Sequence, residues 1–450
     1  MRSTRLRAVV AASTAAVVLA SCGAGGRDAS DGASGDDGAA KGDTTGITDT
    51  TIKIGTHQPL TGVAAPGYSE INTGVQAYLD YVNEAGGIHG RTIEYTVKDD
   101  AYNPTNTTKV VDELVLGDEV FAIVGGLGTA THMSVIDFLN QEGVPDLFVS
   151  SGAHDWGNDP EARPTTFGWQ PDYEIEGKIM GQWIKENMPD AKVGLFLQAD
   201  ELGEDGETGL RQYIDDQIVE RVEYASGNID IGPQMSKLKE SGADLVIGFN
   251  TPSYTALSQL GAMKLGFKPK WMYTNVGSDA RLIGGLLDKF SQGQVKAGQS
   301  ALDGVMTTEY IPGADDEDSP WTDLWNKVWD AHGKEGDLTN YRVYGMSQAY
   351  TFVSALQAAG KDLTRERIIQ VIETDGQSWP DPALAPYRFS QESHLGMTGM
   401  LVSEIEKGIG KPLTEVLVTD IGDAEITPDD SKAADDAPPE SGIPEVPVAE

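Results

Sequence analysis

Residues 121–139 read FAIVGGLGTATHMSVIDFL. An apolar run of strand length, Phe121 to Val124, enters Gly125, Gly126 and Gly128. The small hydroxyl residues Thr129 and Thr131 follow, and then apolar residues at helical spacing. Strand, glycine turn and helix in that order form the unit of a parallel sheet covered by helices on both faces. In such sheets ligands sit at the carboxyl ends of strands, beside helix N-termini. Three occupants compete for the turn: a nucleotide phosphate, a substrate that reacts, or a small solute that leaves unchanged.

A dinucleotide site requires G-x-G-x-x-G. Gly126 and Gly128 supply the first pair, but Thr131 stands where the third glycine belongs. About twenty residues on, PDLFVSSGA offers no acidic strand end for a ribose. A phosphate loop is excluded because G-K-[ST] is missing. Catalysis has little support either. VSSGAHDW places Ser151 three residues before His154, without a G-x-S-x-G elbow, so an exported hydrolase using that pair stays only as an alternative. Histidines 57, 89, 132, 154, 332 and 394 show no metal-ligand spacing, and the acidic run DDEDSPWTDLWNKVWD reads as a solvated helix start. No cofactor or metal is expected. Capture of a small solute remains, with the Thr129 and Thr131 hydroxyls and nearby backbone N–H groups holding a carboxylate or carbonyl oxygen. A threonine capping a helix is the competing local reading.

Around this turn the pattern repeats. TIKIGTHQPL, TIEYTVKDD, AKVGLFLQAD, ADLVIGFN and PKWMYTN read as strands, and amphipathic stretches such as EINTGVQAYLDYVNEAGG lie between them. The alternation is too long for one five-stranded sheet, so two α/β lobes with doubly wound parallel sheets are expected. Asn250, Asn275 and Gln198 end strands of the second lobe and suit a neutral polar ligand face.

The 450 residues are 39% hydrophobic, enough for a sizeable core, and 33 Lys plus Arg face 70 Asp plus Glu for a net charge of -37. That charge repels nucleic acid and anionic lipid headgroups, so neither is expected as a partner of the surface. Arg2, Arg5 and Arg7 precede the short apolar run AVVAASTAAVVLA, which has the form of a secretory signal. It ends in LASC, and Cys22, the only cysteine, is followed by Gly23. This resembles the lipobox of bacterial lipoproteins, which implies a signal peptide over 1–21, acylated Cys22 and a lipid anchor at the outer face of the cell membrane. Residues 22–46 read as a flexible tether and 426–450 as a disordered acidic tail.

Several stretches in order, among them IGTHQPLTG, VFAIVGGLGTATHMSV, GVPDLFVSSGA, ADLVIGFNTPSYTALSQLGAMKLGFKPKWM and RFSQESHLGMTGM, resemble extracellular solute-binding proteins of the leucine/isoleucine/valine-binding type. The resemblance implies a type I periplasmic-binding fold: two lobes joined by a three-crossing hinge, lobe 1 over 47–168 and 307–378 and lobe 2 over 169–306 and 379–425. It implies a monomer that hands its solute to an ABC permease and ATPase complex; a sensor of the same fold reporting to a membrane partner is the alternative. It places Thr129, Ser151 and Gly152 at the solute's carboxylate, with Thr131 close behind and Tyr68 as a cover. Amino-acid binders of the family carry a hydroxyl near Ala153, an aromatic near Leu202 and an acid near Asn275 for the ammonium. Asn275 is an amide here, so either Asp279 or Asp200 substitutes for that acid or the solute lacks an ammonium. Trp156 is expected beside the cleft, and Trp169, Gln170 and Tyr310 near the hinge.

Overall fold

The structure, a computed structural model, describes residues 42–432 and 437–449. The signal segment, Cys22 and the tether up to residue 41 lie outside the described residues. Two sheets organise the rest. The first contains β1 (Thr51–Gln58), β2 (Thr92–Asp99), β3 (Ala122–Val124), β4 (Asp146–Val149) and β5 (Thr166–Gly168), all parallel, in the order β2-β1-β3-β4-β5. Both β3 and β4 are buried along their whole length, as continuous apolar runs under helices on both faces require.

The second sheet holds β6 (Val193–Gln198), β7 (Ile218–Tyr224), β8 (Leu245–Phe249), β9 (Lys270–Tyr273), β10 (Met306–Glu309), β11 (Gly399–Glu406), β12 (Ile409–Pro412), β13 (Leu417–Val418) and β14 (Thr427–Pro428). Its order is β14-β13-β11-β10-β9-β8-β6-β7, with β12 paired to β11. From β6 to β10 neighbours are parallel, whereas β11 runs antiparallel to β10. That departs from a purely parallel lobe. The reason is topological: β11 enters from the other lobe, not from a crossover helix of its own sheet, so no right-handed βαβ unit fixes its direction.

The chain crosses between the sheets three times: after β5, after β10 and before β11. The second crossing leads into helices Pro320–His332, Asn340–Ala359 and Arg365–Asp375. Helix Asn340–Ala359 lies against Ala65–Glu84 so closely that a Cβ on Gly345 would sit 2.1 Å from the Ile71 carbonyl oxygen, and one on Gly74 2.2 Å from that of Arg342. Reciprocal glycines let the two backbones touch. The result is two α/β lobes joined by three strands of chain, the type I periplasmic-binding fold.

The acidic end of the chain departs from expectation. Within 426–450, β14 pairs with β13, and residues 437–449 lie on the first lobe. Tyr78 Oη donates to the Gly442 carbonyl at 2.9 Å, the Ala449 N–H donates to Ala358 O at 2.9 Å, and Ile443 and Val446 pack on the core. A few isolated apolar side chains and backbone groups hold this segment, and they leave no periodic signal. The other end is tied as well: Arg365 meets Asp43 at 3.0 Å. Residues 420–424 are fastened to helix Tyr173–Asn187 by Lys178, whose ammonium donates to the carbonyls of Asp420, Gly422 and Ala424 at 2.6 to 2.8 Å.

Candidate functional site

The strands of both sheets point their carboxyl ends at a cavity of about 830 Å³ between the lobes. From the first lobe Tyr68, Gly128, Thr129 and Ser150 line it; the crossings add Gln170, Tyr173 and Tyr310. Leu202, Thr251, Asn275, Val276 and Asp279 come from the second lobe, and Tyr341 and Tyr344 from helix Asn340–Ala359. Bonds between the lobes close over it. Ser253 Oγ donates to Val63 O at 2.6 Å, Tyr68 Oη to Val276 O at 3.4 Å, and Asn340 Nδ2 to Asp279 Oδ2 at 2.8 Å.

The glycine turn is built as its sequence suggests. Gly128 has φ 102°, a conformation other residues rarely adopt, and begins the short helix Thr129–Met133. Thr129 reaches the cavity and its hydroxyl bonds Ser151 Oγ at 2.8 Å. Thr131 does not reach it: its hydroxyl turns back to Leu127 O at 2.7 Å, inside the turn. Beneath lies a buried chain of four titratable groups. His57 bridges Asp100 (2.8 Å) and His132 (2.9 Å), and His132 continues to Asp146 (2.8 Å). Burial lowers the His57 pKa, and the neighbouring Asp100 carboxylate opposes that shift. Their spacing in sequence gave no hint of this cluster, because β1, the turn and the start of β4 meet only in the fold.

The remaining expected residues divide between lining and support. Tyr68, Leu202 and Asn275 line the cavity, as do Gln170, Tyr310 and Asp279. Ser151, Gly152, Ala153 and Asn250 stand behind it. Ser151 buttresses Thr129; Gly152 accepts the Tyr173 N–H at 2.7 Å; and Ala153 packs with Ile136, Val149 and Trp156. Asn250 spends its amide on Thr255, and the neighbouring Thr251 takes the lining position. Trp156 is buried against His132 instead of beside the cleft, because its loop folds inward over β4. Trp169 is likewise buried, with its indole N–H on Thr351 and Tyr387. Gln198 pairs with Asp200 and Tyr224, and Asp200 caps helix Glu201–Ile214. Burial pushes the Asp200 carboxyl up to about 6. Ser151 and His154 are not paired: His154 turns to Asp205 of the second lobe, with 3.4 Å between Nδ1 and Oδ1. No nucleophile–base contact survives there.

Two further features escaped the sequence. Glu176, on helix Tyr173–Asn187, is buried beneath Asn275; its carboxylate accepts from Thr274 Oγ1 (2.6 Å), the Asn275 N–H (2.8 Å) and Thr308 Oγ1. Burial raises its pKa, while these three donors pull it down. Asn275 in turn donates one hydrogen of its side-chain amide to Thr308 O at 2.6 Å, and the residue lines the cavity. The second feature is the ring of tyrosines, drawn from six places in the chain between Tyr68 and Tyr344. Burial pushes the hydroxyls of Tyr68, Tyr310 and Tyr341 well above the ordinary value, so these groups stay protonated.

A hinged pair of α/β lobes with strand-end loops around one central cavity defines the periplasmic-binding class. The periplasmic binding protein family matches residues 51–409, and the chain belongs to it. Among curated relatives it is similar to Leu/Ile/Val-binding protein homolog 3 of Brucella melitensis, with 28% identity over 200 residues, 43% of this chain and 53% of that protein. The chain thus spans about half the length of the curated relatives it matches. Similar folds include a fatty acid ABC transporter substrate-binding protein from Thermomonospora curvata (TM-score 0.69, 22% identity, 85% of this chain and 96% of that one). Another is a branched chain amino acid ABC transporter protein from Thermus thermophilus with bound valine (TM-score 0.69, 20% identity, 83% and 98%).

Proposed function

We propose that the protein is a lipid-anchored extracellular receptor that captures a small polar solute between its lobes and delivers it, chemically unchanged, to an ABC importer. The observation that carries this is the cavity of about 830 Å³ lined from the strand ends of both lobes, with inter-lobe hydrogen bonds at its edge. The Ser151–Thr129 pairing, and His154 turned to Asp205, leave the exported-hydrolase alternative without its catalytic contact. Relatives named for Leu/Ile/Val, and a similar fold holding valine, support a small-solute ligand. Thr129, Asn275, Tyr68 and Leu202 are assigned to contact the solute; Ser151, Gly152, Ala153, Asn250 and Thr131 hold those contacts in place. Anchoring is assigned to Cys22: Cys22→Ser moves the protein from the membrane fraction to the medium, and unchanged membrane retention overturns that assignment. The test of capture is a metabolite screen on the purified protein, read as a ligand-dependent rise in Tm and a smaller radius of gyration by X-ray scattering. A library that moves neither measurement refutes capture.

A further inference from the structure

We infer that the solute is an amine-bearing organic cation longer than a single amino acid, an inference that rests on the solute-capture reading above. Size is the first ground. A leucine-sized solute has about nine heavy atoms and fills roughly 200–300 Å³ at the volume a liquid gives each such atom, about a third of the cavity. The space runs on past Asn275 along Glu309 and the 311–318 loop to the β11–β12 hairpin. Charge is the second ground. The lining holds neither arginine nor histidine; its two cations, Lys407 and Lys411, belong to the far hairpin. Against them stand Asp279, Glu309 and the run Asp316, Glu317 and Asp318, while Asp315 also lines the space but faces Arg281 at 3.2 Å. An anionic solute meets a repulsive mouth here, and a cation an attractive one.

Chemistry at the walls agrees. All six aromatic side chains in the lining are tyrosines, with no phenylalanine or tryptophan among them. Their ring faces attract a cation, and an ammonium within reach of several rings gains from each. The Tyr310 hydroxyl makes no hydrogen bond among the described residues, although the residue is only 4% exposed. That hydroxyl lies on the cavity wall, where it is free to meet a solute. Asn275 keeps its Oδ1 without a hydrogen bond among the described residues, an acceptor that an ammonium proton can use. Asp279, at the edge of the cavity and capping helix Ala280–Phe290, adds a carboxylate to the lining.

The experiment is calorimetry on the full-length chain in detergent with four probes. Tyramine and 3-(4-hydroxyphenyl)propionate share ring and length but carry opposite charge; spermidine is a long cation without a ring; leucine is the single amino acid. Spermidine is expected to bind tightest, and tyramine, a cation no longer than an amino acid, about tenfold or more tighter than the propionate and leucine; Asp279→Asn is expected to erase about tenfold of that preference, and tyramine binding tighter than spermidine overturns the length. Asparagine still caps the helix, so this variant folds. Tighter binding of leucine or of the propionate overturns the cationic class and leaves capture standing. Silence from all four overturns the class too. Capture itself falls only if the wider metabolite screen also fails to move Tm and radius of gyration.

Discussion

Two threonines in one short turn separate affinity from stability. Thr129→Val keeps the shape and removes the hydroxyl at the cavity wall, so solute affinity is expected to fall by about 1–3 kcal/mol, as calorimetry with the bound solute measures. Thr131→Val removes a donor to a buried carbonyl, and about 1 kcal/mol of folding stability should go with it while affinity holds. A denaturant midpoint beside a binding isotherm distinguishes them. In sequence the pair looks equivalent, and both carry the signature of a glycine turn built for a ligand. Their difference lies in which side of one helical turn faces the cavity. Asn275 was legible as a strand-end amide, but the buried Glu176 that fixes its orientation was not. It sits about a hundred residues away in sequence, inside a helix whose pattern shows only a core face.

Asp205 makes a residue-scale pH prediction. Burial, at the contact with His154, pushes its carboxyl up to about 6, from about 4 in the unfolded chain. The folded state therefore holds a proton the unfolded chain has lost across that window. Its contribution is full below pH ~4 and is lost as pH rises through about 6. Urea midpoints between pH 4 and 7 should show this fall in the native chain, and a weaker one in Asp205→Asn. A fall of the same size in both would clear Asp205 of the effect.

At the scale of elements, the closest helix pair depends on Gly74 and Gly345. A methyl on Gly345 would enter the Ile71 backbone, which cannot yield as a side chain can. Gly345→Ala should cost about 1–3 kcal/mol, by the denaturant midpoint. Strands β1, β2, β3, β6, β8 and β9 and the helices between them were legible because each is a local pattern: an apolar run ended by turn residues, then apolar positions at helical spacing. Strand β11 was not legible as an antiparallel member, since direction is set by where the chain arrives from. The acidic tail misled for a related reason. Composition averages over its charges and prolines, whereas Ile443, Val446 and a few backbone groups decide where it rests. Ending the chain at residue 432 strips Tyr78 of its acceptor, and a stability loss of about 1–3 kcal/mol is expected.

For the whole molecule, the proposed capture requires one movement: lobes part, admit solute and close over it. The bonds from Ser253, Asn340 and Tyr68 span the gap between the lobes, so if opening breaks them, replacing Ser253 with alanine should weaken solute binding without altering any group that lines the cavity. A Ser253→Ala variant with unchanged affinity would show that closure does not draw on this bond.

The tail also belongs to that movement. Lys178 and the β13–β14 pair fasten the chain to the second lobe as far as Asp429, Lys432 ties it to Asp381 and Ala383, and by Gly442 it is fastened to the first lobe. Fully drawn out, the stretch from Lys432 to Gly442 measures about 35 Å. On the proposed capture, that length bounds how far the lobes can part before Tyr78 must let go, so trimming or lengthening this stretch is expected to tune release of the solute without touching the cavity walls.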